Sequence, residues 1–108
     1  MSISTHVLDA VAGAPAPGMS LRLERADGDL VGTGRTNADG RCPELTEGLE
    51  LEVGTYRLGF DTGAWFADRD TATFYPSVEL VFEVTNAAAH YHVPLLLSPF
   101  AYSTYRGS

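Results

Sequence analysis

Along most of the chain, apolar and polar residues alternate with a period of two, the pattern of strands that pack one face and leave the other open. In Ile3–Leu8, one face carries Ile3, Thr5 and Val7 and the other carries Ser4, His6 and Leu8. Met19–Glu24 repeats this, with Met19, Leu21 and Leu23 together, and Thr55–Phe60 places Tyr56, Leu58 and Phe60 inward. Val78–Val84 is the clearest strand, with Val78, Leu80, Phe82 and Val84 on one face and Glu79 and Glu83 on the other. From His90 onward, Tyr91, Val93 and Leu95 form the core face, so His90 and His92 share the opposite one.

The connections fit this reading. Asp9 to Gly18, with two Gly and two Pro, reads as a loop. Asp27-Gly28 is a hairpin signal that leads into a strand over Leu30–Thr36, and Asn37-Ala-Asp-Gly40 is a second turn. Residues 42–53 are irregular and acidic, with Glu44, Glu47, Glu50 and Glu52. Helical character is confined to a stretch near residues 64–71, with Thr62 or Gly63 as its cap. Seven or eight short strands, frequent turn signals and one short helix predict an all-β, antiparallel β-sandwich. No linker, repeat or low-complexity tract divides the 108 residues, so one domain over 1–108 is expected.

Charge narrows the partners. Seven Lys and Arg against fourteen Asp and Glu give a net charge of −7, and no basic run is present. Nucleic acid and anionic membranes are therefore poor partners, and an anion would have to be held by a few local cations. No apolar stretch approaches the roughly 20 residues that span a bilayer. Cys42 is the single cysteine, which excludes an internal disulfide; it reads as an ordinary small side chain. The N-terminus has neither the basic nor the apolar region of a secretory signal, so the cytoplasm is the expected compartment.

The candidate chemistry lies in imidazoles. The chain has three histidines, His6, His90 and His92, and strand parity sends all three to outer faces. His6 and His92 converge if the first and seventh strands are neighbours. A single surface histidine is more often merely solvated, and His90 with His92, lacking nearby thiols or carboxylates, make weak metal ligands. Leu8, Pro94 and Leu96 accompany these histidines, so the face is half apolar and calls for a cover, most simply another copy of the chain. Arg41 directly follows the Asp39-Gly40 turn and matters chemically only if that turn folds back over the histidines. No nucleophile elbow, phosphate loop or dinucleotide fingerprint is present.

Three stretches carry a resemblance. Val7-Leu-Asp-Ala-Val-Ala-Gly-Ala-Pro-Ala16 resembles the N-terminal signature of the transthyretin family. His90-Tyr-His-Val-Pro-Leu-Leu-Leu-Ser-Pro99 and the terminal Tyr105-Arg-Gly-Ser108 resemble the branch of that family that hydrolyses 5-hydroxyisourate, the unstable product of urate oxidation. The resemblance implies a transthyretin-like sandwich of about eight strands. It also implies a homotetramer whose facing dimers form a central channel with active sites at its mouths. Position by position, it implies that His6, Arg41, His92 and Ser108 are catalytic, and that His6, Arg41, Tyr105 and Ser108 contact the substrate. His90 is not carried over and stays a supporting neighbour of His92.

The implied chemistry is lactam opening by an imidazole-activated water, with the guanidinium stabilising the oxyanion, and it requires no metal or cofactor. A non-catalytic carrier of a small hydrophobic ligand is the main rival, although a carrier channel does not need two imidazoles and a guanidinium. An adhesive module is the third reading. Such modules usually occur as repeats in longer chains, whereas this one reads as complete from Met1 to Ser108.

Overall fold

The alternating segments become strands at the expected places in the computed structural model, which describes residues 2–108. The strands are β1 (Ser2–Asp9), β2 (Ala14–Pro15), β3 (Ser20–Arg25), β4 (Leu30–Arg35), β5 (Gly54–Phe60), β6 (Val78–Val84), β7 (His90–Ser98) and β8 (Ala101–Thr104). The single α-helix among the described residues, α1, spans Thr62–Ala67, and a 3₁₀ turn at Pro43–Leu45 punctuates the acidic irregular segment. The strands form two four-stranded sheets, ordered β2-β1-β7-β8 and β4-β3-β5-β6, so the fold is an all-β sandwich.

The inner faces are those the alternation predicts. Ile3, Val7, Tyr91, Val93, Leu95 and Leu97 meet Leu21, Leu23, Tyr56, Leu58, Phe60, Val78, Leu80 and Val84, and all are buried. Thr5 shares the inner face, and its hydroxyl donates to the Val93 carbonyl at 2.6 Å, so this buried oxygen is paired. Tyr91 anchors the turn before its own strand: its hydroxyl accepts from the backbone N–H groups of Thr85 and Asn86 at 3.0 and 2.9 Å.

Three expectations change. The sandwich is not wholly antiparallel, because β1 and β7 run parallel, in register from Ser2 opposite His90 to Asp9 opposite Leu97. These strands lie at opposite ends of the chain with the whole second sheet between them, and so long a crossover carries no hairpin constraint on direction. The helix starts earlier than residue 64 and ends before residue 71, and its cap is Asp61, not Thr62 or Gly63. The Asp61 carboxylate accepts from the Ala64 N–H at 3.3 Å, while Thr62, inside the first turn, donates its hydroxyl to the Tyr75 carbonyl at 2.7 Å. Finally, the loop from Asp9 to Gly18 contains the two-residue β2, an edge strand where Pro15 is tolerated because no further strand needs its missing N–H.

Candidate active site

The outer face of the first sheet gathers the chemically capable residues. Register places Ser4 opposite His92 and His6 opposite Pro94, so His6 and His92 stand one side-chain step apart on adjoining strands. Each ring is half-buried, whereas His90, opposite Ser2 at the strand start, is exposed.

Arg41 is delivered by the turn that precedes it. The Asn37 carboxamide oxygen accepts from the N–H groups of Asp39 and Arg41 at 2.9 and 3.0 Å, and the Asn37 N–H donates to the Arg41 carbonyl at 2.7 Å. The turn then docks on β1: the Val7 N–H donates to the Gly40 carbonyl at 2.8 Å, and His6 and Arg41 form an isolated antiparallel bridge. Gly40 is required here twice over. Its φ is +75°, and a Cβ would lie 2.3 Å from the Val7 carbonyl oxygen. The turn does fold back over the histidine strand, the condition under which Arg41 matters.

The C-terminal tail closes the other side. His92 and Gly107 form an antiparallel bridge, with the Gly107 N–H donating to the His92 carbonyl at 2.8 Å. Ser108 follows directly and is exposed. Arg106 sets its guanidinium 4.5 Å from the centre of the Tyr91 ring. Tyr105 is exposed and, with His92, Arg106, Phe82 and Leu80, lines a cavity of about 440 Å³ at the β6 side of the tail. The structure therefore brings His6, Arg41 and His92 together and sets Ser108 one residue beyond the point where the tail is pinned. Tyr105 shares its cavity with His92.

The electrostatics favour a neutral His92 ring. Burial is the main reason the His92 pKa falls below its ordinary value, and the charges of Arg41, His90 and His6 lower it further. An acidic chain of net charge −7 thus collects a guanidinium and three imidazoles in one place, which suits an anionic or carbonyl-rich ligand. No three or more His, Cys, Asp or Glu among the described residues are grouped so as to hold a metal ion.

Ser2 and Ser4 are the site residues that sequence reasoning left without a role. Both hydrogen-bond to the histidines: Ser4 Oγ lies 2.8 Å from His92 Nδ1 and 2.9 Å from His90 Nε2, and Ser2 Oγ meets His90 Nδ1. The signal that could have found them is the parity that put His6 outward, since Ser2, Ser4 and His6 alternate on one face.

Two four-stranded sheets, one short helix and an imidazole–guanidinium cluster beside the C-terminal tail define a transthyretin-like β-sandwich with a polar site on its outer sheet face. The chain belongs to the HIUase/Transthyretin family, whose model matches residues 3–107. It is 47% identical over 111 residues to mouse 5-hydroxyisourate hydrolase, covering 98% of this chain and 94% of that one. The solved Klebsiella pneumoniae 5-hydroxyisourate hydrolase superimposes with a TM-score of 0.88 at 37% identity, covering 98% of this chain and 92% of that one. Sea bream transthyretin in complex with thyroxine also superimposes with a TM-score of 0.88, at 34% identity and over 97% and 93% of the two chains.

Proposed function

We propose that this protein hydrolyses 5-hydroxyisourate, opening the cyclic amide of its six-membered ring in urate catabolism. One observation carries the reading: His6, Arg41 and His92 converge on one sheet face through the β1–β7 register and the docked Gly40 turn. His92, held neutral, takes a proton from water as the water attacks the lactam carbonyl. Arg41 offers a planar fork of donors to the carbonyl edge and to the oxyanion that forms. His6 orients the water or protonates the leaving nitrogen, so the C–N bond breaks without expelling an amide anion. Ser108 positions water or substrate through its hydroxyl or its terminal carboxylate, and Tyr105 donates a hydrogen bond from the tail.

The working assembly in this reading is a homotetramer. Leu8 and Leu96 are only half-buried beside the histidines, and a second copy of this face would cover them while closing the site. The lone unpaired thiol of Cys42 accords with a cytoplasmic setting.

The likeness to sea bream transthyretin keeps a second reading in play, a carrier that binds a small hydrophobic ligand without chemistry. The imidazoles and the guanidinium favour hydrolysis, since a carrier does not need them. The test is to generate 5-hydroxyisourate fresh from urate and follow its ultraviolet decay with and without the protein. Faster decay is expected, and an unchanged rate would overturn the hydrolase in favour of the carrier.

A further inference from the structure

A continuous hydrogen-bonded row leads from the site to solvent. His92 Nδ1 meets Ser4 Oγ at 2.8 Å, Ser4 Oγ meets His90 Nε2 at 2.9 Å, and His90 Nδ1 meets Ser2 Oγ. The two rings lie nearly parallel, 14° apart with centroids separated by 6.5 Å, so the Ser4 hydroxyl bridges between them. The parallel β1–β7 register builds the row by setting Ser2 opposite His90 and Ser4 opposite His92. We propose that Ser4 is the positioning residue for His92, and that Ser4 and His90 relay protons between His92 and solvent during the reaction.

The inference rests on the reading of His92 as the group that exchanges a proton with water in the site. A serine hydroxyl has one hydrogen, so when Ser4 donates to one ring it accepts from the other. If Ser4 donates to His90 Nε2, it accepts from Nδ1–H of His92. The Nε2 of His92 then carries a free lone pair and acts as a base. As Nε2 takes a proton from water, the Nδ1 proton moves to Ser4 Oγ and the Ser4 hydroxyl proton moves to His90 Nε2. His90 then releases its Nδ1 proton to solvent.

The row is now reversed, with Ser4 donating to His92 and His92 carrying Nε2–H, the form that can protonate the leaving nitrogen. Donation of that proton draws the Ser4 proton back to His92, the His90 Nε2 proton back to Ser4, and a proton from solvent onto His90 Nδ1. Each proton taken up at His92 is matched by one released at His90, and the row resets after one base step and one acid step.

The surroundings supply the reason for such a relay. Around His92 stand His6 from β1, Arg41 from the turn and His90 from its own strand, while Arg106 from the tail is drawn off to Tyr91. A half-buried ring among these groups holds a positive charge poorly, and burial with neighbouring charge already lowers its affinity for a proton. Passing the charge to exposed His90 moves it into water, where it is solvated.

The experiment compares wild type with Ser4→Ala, Ser4→Thr and His90→Asn in buffers of rising concentration and different molecular size. Ser4→Ala and His90→Asn are expected to lose about tenfold or more in kcat with little change in KM, and Ser4→Thr to retain activity. In His90→Asn, rising buffer concentration should restore kcat whatever the buffer's size, because external base replaces the lost proton carrier. A kcat unaffected by either substitution, or a loss identical at every buffer concentration, would overturn the relay. Nitrogen-edited NMR of the imidazoles tests it without turnover: Ser4→Ala should redistribute the His92 tautomers, and Ser4→Thr should not. Unchanged tautomers in Ser4→Ala would overturn the positioning role. If wild type leaves 5-hydroxyisourate untouched, the hydrolase reading fails by itself, and the NMR comparison still decides the hydrogen-bonded row.

Discussion

Gly107 lies against the imidazole of His92 so closely that it has no room for a side chain: a Cβ there would stand 2.4 Å from His92 Cδ2. With the hydrogen bond from Gly107 N–H to the His92 carbonyl, this contact fixes the tail and the ring to one another. The glycine of the terminal tetrapeptide is thus a matter of space, not of backbone freedom. Gly107→Ala should push the tail away from His92 and lower turnover about tenfold or more, the cost expected when a group that locks catalytic geometry is displaced. The core does not involve this residue, so the melting temperature should stay close to that of wild type. Wild-type turnover in Gly107→Ala would show that the tail does not shape the site. Residues appended after Ser108 should impair activity for the same reason, and a fully active C-terminally tagged protein would count against that.

Gly40 plays a comparable part for Arg41 and also bears on stability. With φ at +75° and the Val7 carbonyl oxygen 2.3 Å from where a Cβ would sit, Gly40→Ala has to break the dock between turn and strand. A non-glycine residue in that region costs roughly 1–3 kcal/mol before the clash is counted. Both unfolding free energy and turnover should fall. Arg41→Ala should lower turnover while leaving stability nearly unchanged, since the exposed guanidinium is not part of the core. Equal destabilisation by the two substitutions, measured by denaturant titration, would contradict this division of labour.

Much of this site was legible because strand parity is a strict rule. Ile3 and Val7 fix the inner face of β1 and Tyr91, Val93 and Leu95 that of β7, so His6 and His92 had to point outward. Parity does not reveal which strands adjoin. The β1–β7 pairing, its parallel sense and the register that sets Ser4 against His92 are long-range facts, settled by how both sheets close over one core. The same limit hid the role of Ser4, which sits on the predicted face but gains a purpose only from its neighbour across the strand gap. The helix cap was missed for a local reason: Asp61, the last residue before α1, competes with Thr62 for the capping position and wins it.

Cys42 should be chemically silent in the folded protein. Burial is the main cause that pushes its thiol up to about 12, and the hydrogen bond to the Glu44 carboxylate at 2.9 Å, with that group's negative charge, pushes in the same direction. The thiolate is the reactive form, so alkylation at pH 8 should be very slow in the native state and fast once the chain is unfolded in guanidinium. Glu44→Gln removes the smaller contributions and leaves burial in place, so labelling should stay slow. Rapid native-state labelling, read by mass spectrometry, would show that the thiol is accessible.

The depressed pKa of His92 fixes the direction of two pH dependences. In the unfolded chain the ring titrates near its ordinary 6.5; in the folded protein burial, then Arg41, His90 and His6, hold it lower. Between the two values the unfolded state binds more protons, so stability rises with pH across that window. This contribution is fully present above 6.5 and is lost as the pH falls through the folded value. Activity should follow the same group: the acid limb of kcat/KM should lie below 6.5, because the ring remains an unprotonated base there. Arg41→Ala removes one cause but not the largest, so the surviving acid limb should move up while staying below the ordinary histidine value. His92→Asn should abolish that limb and lower turnover by roughly 10²- to 10⁴-fold, the usual contribution of a general base, with the oligomeric state unchanged. A pH–rate profile with an acid limb at or above 6.5 in wild type, or one unmoved by His92→Asn, would assign the base to another residue.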